Sequence, residues 1–204
     1  MNRAHHALSV LLALAFSGVL VLTVSLQKGQ AAETPAGTCG KNTMTFGCSA
    51  YILANTNSAP SYAGRADTVV VDAQELSKNP GLAQRLNQNG PFPILYTNSF
   101  CESRFGACPG PYLRSSDVSN SYNERIQDPN SGAFYQNFQT QLGWVKQVQG
   151  RVIEIDNMDE YIRQGHKNAI IKLIQLAANS GINVVSKNVK DADILRQPNV
   201  VGAI

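Results

Sequence analysis

Short apolar runs alternate along the second half of the chain with longer segments in which apolar residues return every three or four positions, the signatures of strands and helices in turn. Thr68-Val-Val-Val-Asp72 is a β-branched run ending on an acid. Asn79-Pro80 then opens a helix in the cap-then-proline pattern, with Leu82 and Leu86 on its apolar side and Gly90 as its stop. Pro93–Tyr96 is the next strand, and Ala50–Ala54 upstream predicts a first one. The polar stretch Thr97–Gly132 reads as an elaborate loop, and loops of that length are as a rule functional or pinned. From Ala133 the residues Phe134, Phe138, Leu142 and Val145 recur at helical spacing as far as Gly150. Val152-Ile-Glu-Ile155 is a strand that runs straight into Asp156-Asn-Met-Asp-Glu-Tyr161. Asn168–Ala178 follows as a broadly apolar helix closed by Asn179-Ser-Gly181, then Ile182–Val185 as a strand, Asp191–Arg196 as a helical turn and Val200–Ile204 as a last strand.

This repeated order predicts an α/β fold, a parallel sheet or barrel with helices outside it. Strands apolar on both faces fit, because helices cover them. A closed (β/α)8 barrel takes about 250 residues, and only about six strands can be counted here. The expected form is therefore a (β/α)8 barrel that is incomplete, with about six βα units present. The bare apolar tail Val200–Ile204 points the same way, since such a strand is normally followed by a polar turn and a covering helix.

The start of the chain does not belong to that pattern. Met1–His6 is polar and basic, Ala7–Leu26 is an apolar core, and Gly29-Gln30-Ala31 offers small residues where a signal peptidase reads. We expect a signal peptide over 1–31, a Gly/Thr/Ala-rich linker over 32–48 and one domain over 49–204; a retained anchor is the competing reading, since about twenty apolar residues can span a bilayer. Both imply export, so the expected location is extracellular or periplasmic. Removing the leader takes Arg3 and Lys28 from the 17 basic residues and leaves 15 against 14 acidic. That balance gives no support for a nucleic-acid partner. It also removes His5 and His6, leaving His166 alone, which argues against a histidine-built metal site or two-histidine catalysis and leaves hydrolysis to carboxylates. The four cysteines fall in two close pairs, and in an oxidising compartment we expect disulfides Cys39–Cys48 and Cys101–Cys108, although four cysteines allow three connectivities. The tight C-x-x-C spacing that zinc prefers is missing.

Candidate chemistry gathers where strands end, the edge at which parallel α/β folds bind ligands. Asp72 ends one strand, Tyr96-Thr97-Asn98 the next, Asp156-Asn157 a third and Lys187-Asn188 a fourth. Glu154 and Asp156 share a strand face by the two-residue period, at roughly 6.5 to 7 Å. Two acids held close push their proton affinities apart, which is the arrangement glycoside hydrolysis uses. Plain readings stand beside this one. Asp-Asn-x-Asp-Glu after a strand is also helix-capping and turn chemistry, and an acidic trio could hold calcium, although the twelve-residue loop pattern is missing. His166 reads as a solvated loop residue and Trp144, Phe134 and Phe138 as core, whereas Tyr96 and Tyr161, beside strand-end acids, are candidates to stack on a sugar.

The segment Val152-Ile-Glu-Ile-Asp156-Asn157-Met-Asp159-Glu-Tyr161, followed by a helix and then Gly181-Ile-Asn-Val-Val-Ser-Lys187-Asn188, resembles the TIM-barrel domain of the endo-α-1,4-polygalactosaminidase family, glycoside hydrolase family 114. The resemblance implies that Asp156 stands where that family has a catalytic acid. It implies too that Asn157, Asp159, Tyr161, Lys187 and Asn188 line a sugar site, to which the strand-end reading adds Asp72, Tyr96 and Glu154. The family's second carboxylate is expected just beyond the sixth strand, here past Ile204. The expected function is endo-hydrolysis of a galactosamine-type polysaccharide by a secreted protein with no metal or organic cofactor, and no membrane partner unless the leader is retained. The alternative is a non-catalytic extracellular carbohydrate-binding protein that lacks the second acid.

Overall fold

A strand buried on both faces must be apolar at every position, and Thr68-Val-Val-Val-Asp72 meets that demand with all five residues buried. The computed structural model describes residues 49–52, 56–62, 66–102, 108–113 and 124–204. Its strands are β1 (Ser49–Ile52), β2 (Thr68–Asp72), β3 (Phe92–Asn98), β4 (Cys101–Glu102), β5 (Glu124–Arg125), β6 (Val152–Asp156), β7 (Asn183–Ser186) and β8 (Val200–Ala203). Six of them form one sheet in the order β1-β2-β3-β6-β7-β8, every neighbouring pair parallel. The helices between them are α1 (Ala73–Ser77), α2 (Pro80–Asn89), α3 (Gly132–Gln147), α4 (Met158–Arg163), α5 (Lys167–Asn179) and α6 (Ala192–Leu195), with a 3-10 helix over Thr56–Tyr62. This is the α/β order of successive βα units that the sequence predicts.

Alternate strand residues part into two clusters. Val69, Val71, Leu95, Ile153, Ile155 and Val184 join the large core shared with the helices, whereas Val70, Ile94, Tyr96, Val152 and Val185 form a small cluster on the opposite face. Helix α3 contributes the predicted stripe Phe134, Phe138, Leu142 and Val145, all buried, and Ser131 caps its start by accepting from the Phe134 N–H. Gly150, between α3 and β6, has no room for a side chain, since a Cβ there would lie 2.4 Å from Leu95 Cδ1.

Several elements depart from expectation. β3 runs two residues past Tyr96, since Thr97 and Asn98 pair in register with Ile155 and Asp156. Within the stretch read as loop, β4 and β5 pair antiparallel, with Glu102 opposite Glu124. Helix α1, which the sequence does not predict, begins immediately after β2, and α4 follows β6 in keeping with the helix-capping reading of Asp156–Glu160. The disulfide Cys101–Cys108 is present as expected; the pair Cys39–Cys48, the leader and the linker lie outside the described residues. No helix among the described residues is long and apolar enough to cross a membrane.

Candidate functional site

The sheet register builds the site. Because Asn98 pairs with Asp156 and Tyr96 with Glu154, four polar side chains of one parity stand side by side near the C-terminal ends of β3 and β6. Lys187, two residues beyond Val185 on the same parity, reaches across: its Nζ lies 2.8 Å from Asp156 Oδ2 and 3.7 Å from Glu154 Oε1. Asp156 is the partly open member, its side chain 14 % exposed, while Glu154 beneath it is fully buried.

Three donors converge on Asp156. The Asn157 N–H donates to Oδ1 at 2.8 Å, and Oδ2 accepts from Lys187 and, at 3.2 Å, from the Tyr96 hydroxyl. The main chain beneath is pinned too, its carbonyl accepting from Ser99 through both the backbone N–H and the hydroxyl. Burial pulls the Lys187 ammonium down, but hydrogen bonding and attraction to Asp156 and Glu154 outweigh it, and its pKa ends above the ordinary lysine value. Tyr96 is raised well beyond the ordinary phenol range, first by burial and then by Asp156, Glu102 and Glu124, so it serves as a neutral donor.

Asn98, which the sequence places at a strand end, is a hub of this site. Its backbone N–H and carbonyl are both held by the Gln141 carboxamide of α3, at 2.8 and 2.9 Å. Its Nδ2 donates to Glu102 and Glu124, and its Oδ1 accepts from Phe100 N–H and from Asn157 Nδ2. Gln141 carried a readable signal, a polar residue on the buried stripe between Phe138 and Leu142. For Glu102 and Glu124 there was none, since only the β4–β5 pairing brings them to the site.

Some expected sugar contacts lie elsewhere. Asp72 is fully buried and caps α1, its Oδ1 accepting from Glu75 N–H, so it is a structural residue and not a sugar ligand in this arrangement. Tyr161 is also fully buried: it meets Phe100 and Phe134 edge-on and donates to the Gln127 carbonyl, which places it in the core. Glu154 shares the predicted face but offers no surface. Tyr96 is buried with its hydroxyl committed to Asp156, which leaves no open ring face for stacking. Asp159 and Asn188 do not bond to Asp156; they line a neighbouring depression of about 400 Å³ with Ile162, Arg163 and Asp191. Among the described residues no cluster of acids, cysteines or histidines has the makings of a metal site.

A parallel βα fold with a partly open carboxylate at its strand ends is laid out as ligand sites are in barrel-type α/β folds. Among solved structures the chain is similar to the glycoside hydrolase domain of PelA from Pseudomonas aeruginosa. For the E218A variant of that domain the identity is 14 % over 74 % of this chain and 60 % of that one, with TM-score 0.55; for the domain without that substitution the identity is 15 % with the same coverage and TM-score 0.53. Aspergillus fumigatus Ega3 in complex with galactosamine is matched at 14 % identity over 82 % of this chain and 65 % of that one, with TM-score 0.49, an overlap too loose to carry argument. The chain matches no protein-family profile and no curated protein sequence. It spans 60 % of the PelA domain. The likeness is one of fold: this chain has the barrel-type α/β architecture of those PelA glycoside hydrolase domains.

Proposed function

We propose that the protein is a secreted glycoside hydrolase acting on an amino-sugar polysaccharide, with Asp156 as one of its two catalytic carboxylates. The observation that carries this reading is the position of Asp156, partly exposed at the strand-end edge, oriented from three sides and paired with Lys187. Three hydrogens already point at its two oxygens, so it suits the electron-pair donor of the acid pair, leaving protonation of the departing oxygen to a second carboxyl. Glu102, Glu124, Glu154 and Asp156 against one lysine make the described part of this mouth acidic, which favours a substrate bearing ammonium groups. No step needs a metal or cofactor. Export rests on the leader, and the amino terminus of the secreted protein is expected at Ala32; intact Met1 on the exported protein would mean a retained anchor.

The test is release of new reducing ends from a galactosamine polymer by the full chain, beside the Asp156→Asn variant. Turnover in the parent and its loss in the variant support the reading, and equal turnover in both removes Asp156 from the chemistry. A second reading, a carbohydrate-binding protein, draws on the fact that both Asp156 oxygens already accept hydrogen bonds. It predicts glycan binding with no new reducing ends.

A further inference from the structure

We infer that Glu124, with Glu102 opposite it, is a positioning residue for Asp156 that acts through two asparagines without touching the sugar; this rests on the glycosidase reading above. Like charges directly opposite on an antiparallel pair normally repel, yet Glu102 and Glu124 face each other and are only 4 % and 8 % exposed. Such an arrangement is kept when specific hydrogen bonds compensate for it. Here the compensation is shared: the Oε1 atoms of both accept from the same Asn98 Nδ2, each at 2.7 Å.

Valence then fixes the geometry. A primary amide has two hydrogens, and the two carboxylates take both. The Tyr96 hydroxyl, 3.3 Å from the same nitrogen, receives neither and keeps its own hydrogen on Asp156. With both amide hydrogens taken by carboxylate oxygens, the way the Asn98 amide faces is set, and its Oδ1 points at Phe100 N–H and Asn157 Nδ2, both at 2.9 Å. Asn157 holds a left-handed backbone, φ 61°, a conformation asparagine tolerates better than most residues. In that conformation its N–H reaches Asp156 Oδ1 at 2.8 Å. The line of control runs from the glutamates to Asn98 and on to Asn157, whose Nδ2 also donates directly to Glu124 Oε1 at 3.4 Å, and so to the carboxylate. The Cys101–Cys108 disulfide ties down β4, which presents Glu102.

The mechanism requires an acceptor at Glu124 and not its charge, and this makes it testable. In the full chain, Glu124→Ala is expected to lower kcat on a galactosamine oligomer about tenfold with KM held within about twofold, and Glu124→Gln, which keeps an acceptor oxygen, is expected to recover most of that loss. A second readout needs no substrate: by NMR the Asn157 backbone N–H should exchange with solvent about tenfold faster in Glu124→Ala and near the parent rate in Glu124→Gln. A rise in KM with kcat kept would make Glu124 a direct sugar contact and overturn the inference. It is equally overturned if the glutamine variant behaves as the alanine one, or if Asn157 exchange is unchanged in Glu124→Ala. Should the parent chain show no turnover, the glycosidase reading fails, and the exchange experiment still judges the positioning.

Discussion

The two faces of the sheet are made from the same strands and do opposite work. On the helix-covered face Val69, Val71, Leu95, Ile153, Ile155 and Val184 are all fully buried in the main core. The other face starts from a small apolar floor, Val70, Ile94, Val152 and Val185, and then turns polar toward the strand ends with Tyr96, Asn98, Glu154, Asp156 and Lys187. Neighbouring residues such as Ile155 and Asp156 thus belong to different problems. One face excludes water over its whole length; the other becomes polar where the strands end, which is where a ligand can arrive.

That contrast can be broken at adjacent positions. Asp156→Asn is expected to lower turnover by about three orders of magnitude, roughly 4 kcal/mol of lost transition-state stabilisation, while the thermal melt stays within a few degrees of the parent. Ile155→Ala should do the reverse. Its loss from a fully buried site is expected to cost about 2–5 kcal/mol of stability, seen as a melting point roughly 5–15 °C lower, with turnover per folded molecule kept. If both variants lost activity and stability together, the division of labour between the faces would be wrong.

A smaller effect probes how tightly the helix layer meets the sheet. A methyl group at Gly150 would sit 2.4 Å from Leu95 Cδ1 and 2.9 Å from Val145 Cγ1. Gly150→Ala is therefore expected to cost about 1–3 kcal/mol in denaturant unfolding, with no change in substrate affinity. An unchanged midpoint would mean that β3 and α3 yield more easily than their burial implies.

How much of this was legible beforehand depended on whether a signal was local. The stripe Phe134, Phe138, Leu142 and Val145 and the shared face of Glu154 and Asp156 follow from periods of 3.6 and 2, which any stretch of chain carries in itself. Asp72 was misread because a strand-end acid can serve a ligand or a helix. The spacing Asp72-Ala-Gln-Glu75 was already that of an N-cap, and α1 confirms it. Tyr161 was misread for a related reason: the run after Asp156 is a helix, and its Met158 and Tyr161 turn together into the core. Asn98 stands at a strand end in the sequence, but its joining to Glu102 and Glu124 has no local signal, since it exists only once β4 and β5 pair across a long loop.

The smallest expected effect separates the charged part of the polar face from its packing. Lys187 has a pKa raised in the folded protein: burial acts to lower it, and Asp156 and Glu154 more than restore it. A raised folded value means that the native state binds the proton more tightly than the unfolded chain does. The associated stability is therefore complete below the ordinary lysine value, about 10, and is lost as pH climbs from there through the folded value. Tyr96, also raised, works in the same direction. The melting temperature of the parent should accordingly fall on the alkaline side above about pH 10. In Lys187→Met the fall should be shallower, because the Lys187 part is gone while those of Tyr96, Tyr135 and Lys167 remain, and near neutral pH the variant should start lower, with the buried Glu154 deprived of its ammonium. Identical alkaline slopes in the two proteins would mean that Lys187 is solvated and that its bridge to the two carboxylates contributes nothing to holding this face together.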